Sequence, residues 1–467
     1  MGKLDRIFNP RSVAVVGSKQ IDNHNWLRTV LPFDGPKYHI NIDKNEWPSA
    51  EELGFQNYER LVDVPGDIDF VIISVPAQVA QYVIADCVAK KVSGAHLYTA
   101  GYGEIGTLEG IEREEALIKL CREGGLNIVG PNCLGVFNPK IGIGVNLGGY
   151  YGDSGSLAFV SQSGSQSGGF ARGCVANGIK ISKLVSMGNG IILDSPDYLD
   201  YFKDDTDTLA IGMYLEGVRD GKRFYNSLRD VSASKPVMVL KVGESEDAAR
   251  AVAAHSTSFT TGPAIWDAML VQSGAIKVES IEEIFELSKL LLVLPPTIGD
   301  RLGLLALSGG HATEMTNVFS NAGFRIPSLE ESSYERILQK FNVVGSTYQN
   351  PIEGRTLNDP EHLNNVLDVL NDDPNIDIIV HEVHVVVRDG DASLYRGHGP
   401  DLLVDFQSRA RKPYVVAMSG SHPHPPADVA DNFYRVLTEA GIPTLHGLQG
   451  TASALRKFVS YYQNRIA

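Results

Sequence analysis

The chain has 467 residues, too many for one hydrophobic core, so two or three domains are expected. Its composition, 43% apolar and 21% charged, is that of a globular protein, and a formal net charge of −15 argues against non-specific nucleic-acid binding while allowing a local anion site. Four cysteines without CxxC spacing (Cys87, Cys121, Cys133, Cys174), no apolar run of about 18 to 20 residues and no signal-like N-terminus lead to a cytoplasmic protein without membrane contact.

In chain order, "RSVAVVGS" (11–18) is an apolar strand ending in Gly-Ser, the usual opening of a doubly wound unit. "IDFVIISVPA" (68–77), "SGAHLYTAGYGEIG" (93–106) and "LNIVGPNCLGVFNP" (126–139) repeat the theme, with the helix-like "VAQYVIADCVAKK" (79–91) between them. Strand and helix alternating in this way predict a mostly parallel sheet over residues 1–140. The pattern restarts at "SLAFVSQSGSQSGGFA" (156–171) and runs through "ISKLVSMGNG" (181–190), "DTLAIGMYLEG" (207–217) and "KPVMVLKVG" (235–243), giving a second domain over 150–293. After "LPPTIGD" (294–300) come "LGLLALSGGHATEMTNVF" (302–319), "IDIIVHEVHV" (376–385), "KPYVVAMSG" (412–420) and "GIPTLHG" (441–447), giving a third over 300–467. Strand–SGS–helix and strand–SGG–helix, each followed by a Lys-Pro-led strand, predict two copies of one flavodoxin-like plan. The fold expected is α/β, with three doubly wound domains: one Rossmann-like, two flavodoxin-like.

Open wound sheets bind ligands beyond the carboxyl ends of their strands, where helix N-termini present unpaired N–H groups. Three places have this form: Gly17-Ser18 with "GPNCLG" (130–135), "SQSGSQSGG" (161–169), and Ser308-Gly309-Gly310. Each suits phosphate, and each taken singly is equally a turn that needs glycine for its backbone angles. Neither GxGxxG nor GxxxxGK[ST] occurs, and Gly164-Ser165-Gln166-Ser167-Gly168 lacks the setting of a nucleophile elbow. "HEVH" (381–384) lies in a strand pattern, which turns His381 and Glu382 to opposite faces, unlike a helical HExxH. "SHPHPP" (421–426) reads as a turn rather than a metal site, so no metal bound by this chain is expected. "AVAAHSTSFTTG" (251–262) reads as a loop of small and hydroxyl residues around a single imidazole, His255.

"IFNPRSVAVVG", "GPNCLGVFNP", "SQSG", "MGN", "YLEGVRDGKRF", "KPVMVLKVG", "WDAMLVQSG" and, in the third domain, "SGG" and "NPIE" (350–353) follow one another at the spacings of a known family. The chain resembles the NDP-forming acyl-CoA synthetases over nearly its whole length, on the side of the α subunit of ADP-forming acetate–CoA ligase and its relative, the succinyl-CoA synthetase α subunit. The resemblance implies CoA held in the first domain through Gly17, Ser18, Pro76, Asn132 and Cys133. It implies a phosphate site at Ser161, Gln162, Ser163 and Gly164, with Ser308, Gly309 and Gly310 opening a second helix toward the same phosphate. His255 falls on the family's phosphorylated histidine and Glu216 on the glutamate that orients it. It further implies ATP/ADP and Mg handled with an ATP-grasp β subunit, a small carboxylic acid as substrate, and an α2β2 or homodimeric assembly. Two motifs depart from the family. Ala254-His255-Ser256-Thr257 stands where Ser-His-Thr-Gly is usual, and "GSKQIDNHNWL" stands in place of a glycine-rich first turn with Pro-Gly-Lys. A non-catalytic CoA-binding regulatory or scaffold homologue is the alternative. A nicotinamide dehydrogenase is disfavoured, since "HINIDKNEW" offers only Asp43 for a ribose.

Overall fold

The computed structural model describes residues 4–144, 153–255, 262–341, 344–388, 391–394, 399–419 and 427–466. It divides into two compact units, Met1–Ile281 and Glu282–Ala467.

In the first unit, β1 (Val13–Val16), β2 (Lys37–Ile40), β3 (Gln56–Tyr58), β4 (Phe70–Ile73), β5 (Gly94–Leu97) and β6 (Ile128–Val129) form a sheet ordered β3-β2-β1-β4-β5-β6. Every pair in it is parallel. β1 and β4 are wholly buried, which is why they read as continuous apolar runs instead of alternating ones. The strand order reverses between β1 and β4, and this opens the crevice of a dinucleotide-type fold.

β7 (Gly135–Phe137) comes next, then β8 (Leu157–Ser161), β9 (Ile181–Ser186), β10 (Ala210–Leu215), β11 (Val237–Lys241) and β12 (Ile276–Val278), ordered β12-β11-β10-β8-β9-β7. Counted from β8, this is the flavodoxin order 2-1-3-4-5 with one added edge strand. That edge strand is β7, antiparallel to β9 with Phe137 opposite Leu184. It belongs to the sequence of the expected first domain but completes the second sheet, so the two sheets of this unit are joined across residue 140. One apolar cluster accordingly runs from Leu4 to Leu270.

The second unit holds β13 (Leu302–Ala306), β14 (Ser346–Thr347), β15 (Ile352–Gly354), β16 (Ile378–Val383), the hairpin β17 (Val385–Arg388) and β18 (Asp391–Leu394), β19 (Tyr414–Met418) and β20 (Thr444–His446). Its main sheet is ordered β14-β15-β13-β16-β19-β20, again 2-1-3-4-5 with an antiparallel edge strand, here β14. The duplicated plan expected from the Ser-Gly turns is thus present in the strand order. The two copies differ in where the chain inserts the edge strand.

His96 on β5 is buried against the turn that leads into β7. A Cβ at Gly135, where φ is +80°, would meet its ring at 2.5 Å, and ring Nε2 lies 3.1 Å from the Cys133 carbonyl. Burial lowers the imidazole to about 4. Between that value and the unfolded value near 6.5, the unfolded chain binds more protons than the folded one. This contribution is therefore complete above pH 6.5 and falls as the pH drops toward 4, by roughly 3 kcal/mol in all. Denaturant midpoints at pH 7 and pH 4.5 should converge in His96→Gln relative to the parent. An unchanged acid sensitivity in the variant would contradict this.

Candidate active site

A cavity of ≈ 590 Å³ opens at the reversal point of the first sheet, lined by Gly17, Lys19, Asn41, Asp43, Ser74 and Pro76 among others. Gly17 adopts φ +89°, and a Cβ there would lie 2.5 Å from Val75 Cγ1 and 2.9 Å from the Ser74 carbonyl, so only glycine lets β1 turn beside β4. The altered first turn has a structural consequence. Asn23 and His24 are left-handed, and the helix that follows, Asn25–Arg28, is a single turn. The long helix that starts at this cavity is instead α1 (Ala77–Ala89), with Pro76 as its N-cap and no side chain covering its first N–H groups. Lys19 and Arg60 are the cations of the cavity, against Asp43, Glu59 and Asp86, so anion binding there falls to the helix start. Asp43, which lines the cavity, accepts from Asn45 N at 3.0 Å through one of its two carboxylate oxygens and so fixes the turn after β2.

The other expected CoA contacts separate. Ser18 is fully buried, its carbonyl accepting from His39 and Asn41, and it does not line the cavity. Asn132 is left-handed (φ 58°), its N–H bonded to the Thr99 carbonyl. The Cys133 side chain lies in the core, donates to the Leu97 carbonyl, and is pushed well up in pKa by burial. Its side chain is a packing element; only its backbone is left for a ligand.

In the second sheet, β8 ends in Ser161 and α2 (Gly164–Ala176) begins three residues later. Ser161 Oγ accepts from Ser163 N and donates to the Ser163 carbonyl, which fixes the turn. Ser163 caps the helix by accepting from Gln166 N at 3.4 Å. Gln162 has a structural task as well: its Oε1 accepts from Glu216 N at 2.5 Å and Gly217 N at 3.0 Å, which leaves its Nε2 as the donor for a phosphate. Gln162 therefore clamps the loop after β10 to the end of β8, and holds buried Glu216 beside the helix start. Gln162→Ala leaves two N–H groups without that acceptor and should lower stability by about 1 to 3 kcal/mol in chemical denaturation. A loss below about 0.5 kcal/mol would show that the clamp carries no weight.

Sequence reasoning missed Lys241, the last residue of β11. It is buried, its ammonium lies 5.3 Å from the Trp266 ring, and it interacts electrostatically with Glu244 and Glu216 while burial lowers its pKa. A Cβ at Gly243 would come within 2.9 Å of Val252 Cγ2 and 3.7 Å of Lys241 Nζ. Val252 is a buried residue of α3 (Glu246–His255), the helix that ends at His255 and lies against the turn Gly103–Ile105. Where the sequence suggests a loop up to His255, the backbone is helical. Residues 256–261 and the His255 side chain lie outside the described residues. Asn189 of "MGN" donates to Glu104 at 2.6 Å and to Glu114, and Arg219 of "VRD" donates to the Asn189 carbonyl, so these motifs brace the first sheet against the second.

In the second unit, α4 (Gly309–Asn321) starts after Ser308, whose side chain makes no capping bond. A Cβ at Gly310 would meet nothing within 4 Å, and one at Gly309 would lie 3.8 Å from Glu353 Oε1, the glutamate of "NPIE". His381 bonds Tyr414 Oη at 2.8 Å while Glu382 bonds His311 Nδ1 at 2.7 Å, two directions, as a strand requires. "SHPHPP" lies outside the described residues. Among the described residues no helix is long and apolar enough to cross a membrane.

The chain matches the CoA binding domain family over residues 11–139 and the succinyl-CoA ligase like flavodoxin domain family over 154–291. It is 31% identical to the α subunit of ADP-forming acetate–CoA ligase I of Pyrococcus furiosus over 75% of this chain and 76% of that one. The chain belongs to the ADP-forming acetate–CoA ligase family, on its α-subunit side. The α subunit of the Pyrococcus furiosus isoform II is 28% identical over 99% and 98% of the two chains. The solved structure of the dinucleotide-forming acetyl-coenzyme A synthetase 1 of Ca. Korarchaeum cryptofilum, in complex with phosphate and ADP, superposes with a TM-score of 0.86 at 29% identity, covering 99% of this chain and 97% of that one. Membership makes the chain an acid–thiol ligase and favours the catalytic α-type role over a non-catalytic homologue.

Proposed function

We propose that the chain is the α-type subunit of an ADP-forming acyl-CoA ligase, interconverting acyl-CoA, ADP and phosphate with a small carboxylic acid, ATP and CoA. In the proposed cycle, phosphate attacks the thioester carbonyl, the thiolate of CoA leaves, and an acyl phosphate forms. A ring nitrogen of His255 then takes the phosphoryl group, the carboxylate leaves, and the phosphoryl group passes from His255 to ADP. The observation that carries this reading is the set of contacts around Glu216. Gln162 fixes its backbone beside the start of α2, Lys241 balances its charge, and Val252, one turn before His255, packs at Gly243 beside Lys241. A carboxylate so fixed can accept one ring N–H of an imidazole and raise the basicity of the other nitrogen.

CoA is assigned to the first-sheet cavity, its diphosphate at the start of α1 near Gly17 and Pro76 and its thiol end toward Asn132. Phosphate is assigned to the start of α2 beside Ser163-Gly164, where the N–H groups that follow Ser163 point outward, with Ser308-Gly309-Gly310 as a second phosphate-binding helix start. Nucleotide and Mg are assigned to an ATP-grasp β subunit, in an α2β2 assembly or with this chain as a homodimer.

Two measurements test this reading. Calorimetry on the full chain should show heat with CoA at or below millimolar concentration, and none would remove the CoA assignment. The purified chain with ATP, CoA and acetate should make no acetyl-CoA until a β subunit is added. Full ligation by the single chain would remove the partner.

A further inference from the structure

The second unit brings together a cluster that the ligase cycle does not use. His311 sits in the first turn of α4, Glu382 near the end of β16, and His384 just beyond it. One ligand atom from each lies within 4.8 Å of the others. Glu382 Oε1 is 2.7 Å from His311 Nδ1 and 3.8 Å from His384 Nε2. The carboxylate is wholly buried, His384 is 12% exposed and His311 37%, so the cluster is walled on the strand side and open on the helix side. Glu382 is held from two further directions: Leu307 N donates to Oε2 at 3.3 Å, and Ser419 Oγ donates to Oε1 at 2.9 Å.

We propose that His311, Glu382 and His384 bind one transition-metal dication of the zinc class, through two imidazole nitrogens and one carboxylate oxygen, leaving a fourth position for water or an anionic oxygen. Two nitrogens and one oxygen suit zinc and its neighbours, whereas magnesium and calcium favour all-oxygen shells. Ligand atoms about 2.1 Å from a tetrahedral ion stand about 3.4 Å apart. The Glu382–His384 separation is already near that, and the Glu382–His311 contact has to open by about 0.7 Å. His311 exchanges its hydrogen bond for a metal bond, Nδ1 giving up its proton so that the ligating ring is neutral and carries its proton on Nε2. Ser419 and Leu307 N are the outer partners that keep the carboxylate aimed. Burial lowers the pKa of His384, which keeps that ring neutral and able to ligate.

The test uses the full chain, stripped with a chelator, desalted, and titrated with Zn2+ and Co2+. The expected result is one Co2+ per chain with the visible d–d absorption of a four-coordinate site, displaced by Zn2+. His311→Ala and His384→Ala should each weaken Zn2+ binding by at least about tenfold, and Ser419→Ala by up to about tenfold. His311 is part-exposed, so His311→Ala should fold. Zn2+ should raise the thermal midpoint of the parent and leave that of His311→Ala unmoved. The sequence also carries His422 and His424. If their double alanine variant loses the metal while His311→Ala keeps it, the proposal is overturned. It is overturned equally by binding no tighter than millimolar, or by binding unchanged in both single histidine variants. These readouts do not depend on ligase turnover, so their failure leaves the ligase reading standing.

Discussion

Replacing His255 with alanine should reduce ADP-forming turnover, assayed with the β subunit, by on the order of 10⁶-fold, the scale on which removal of a nucleophile acts. In the proposed cycle no other group can carry the phosphoryl between acyl phosphate and ADP, so the loss is in transfer rather than in binding. His255 is the last residue of α3, and alanine is the best helix former, so the substitution leaves the helix intact. The thermal midpoint should stay within what about 0.5 kcal/mol allows, and CoA should bind with unchanged affinity. A variant that turns over at more than a few per cent of the parent rate would remove His255 from the cycle.

Glu216→Gln should slow phosphorylation of the protein by about 10²- to 10⁴-fold, the range for losing the carboxylate that orients a catalytic imidazole. The clamp from Gln162 acts on the backbone of Glu216 and Gly217, so the loop keeps its place when the side chain becomes an amide. Lys241, buried, loses one of its two compensating carboxylates, and the structure should weaken by about 1 to 3 kcal/mol without unfolding. Rapid-quench phosphorylation, with denaturation in parallel, separates the two effects. A rate within twofold of the parent in a folded variant would contradict the role given to Glu216.

The strands were legible because a parallel sheet covered on both faces leaves apolar runs with no alternation, as in β1, β4 and β8. The turns that end those strands in Gly and Ser were legible for the same sequence-local reason. What was not legible depends on partners far along the chain. Gln162 reads as a phosphate contact in "SQSG", and what the motif does not show is that its amide oxygen also holds backbone 54 residues away, a consequence of β8 pairing with β10. Strand alternation separates His381 from Glu382, but that Glu382 meets His311 follows from the β13–β16 register, with Leu305 opposite His381. The segment before His255 suggests a loop in sequence because its residues are small. Alanine is small and also strongly helical, and Glu246 and Asp247 in the first turn suit the helix dipole, so the backbone is helical to His255. Cys133 shares a motif with Asn132 but turns inward, a detail of one left-handed residue that no pattern announces.

The most direct measurement is the site of phosphorylation. The full chain is incubated with acyl-CoA and labelled phosphate, then digested and mapped by mass spectrometry under neutral or basic conditions that preserve phosphohistidine. The phosphoryl group should be acid-labile, base-stable and confined to the peptide that carries His255, and the His255→Ala chain should take up none. Label that persists in the His255→Ala chain, or that maps to another residue in the parent, would contradict the account.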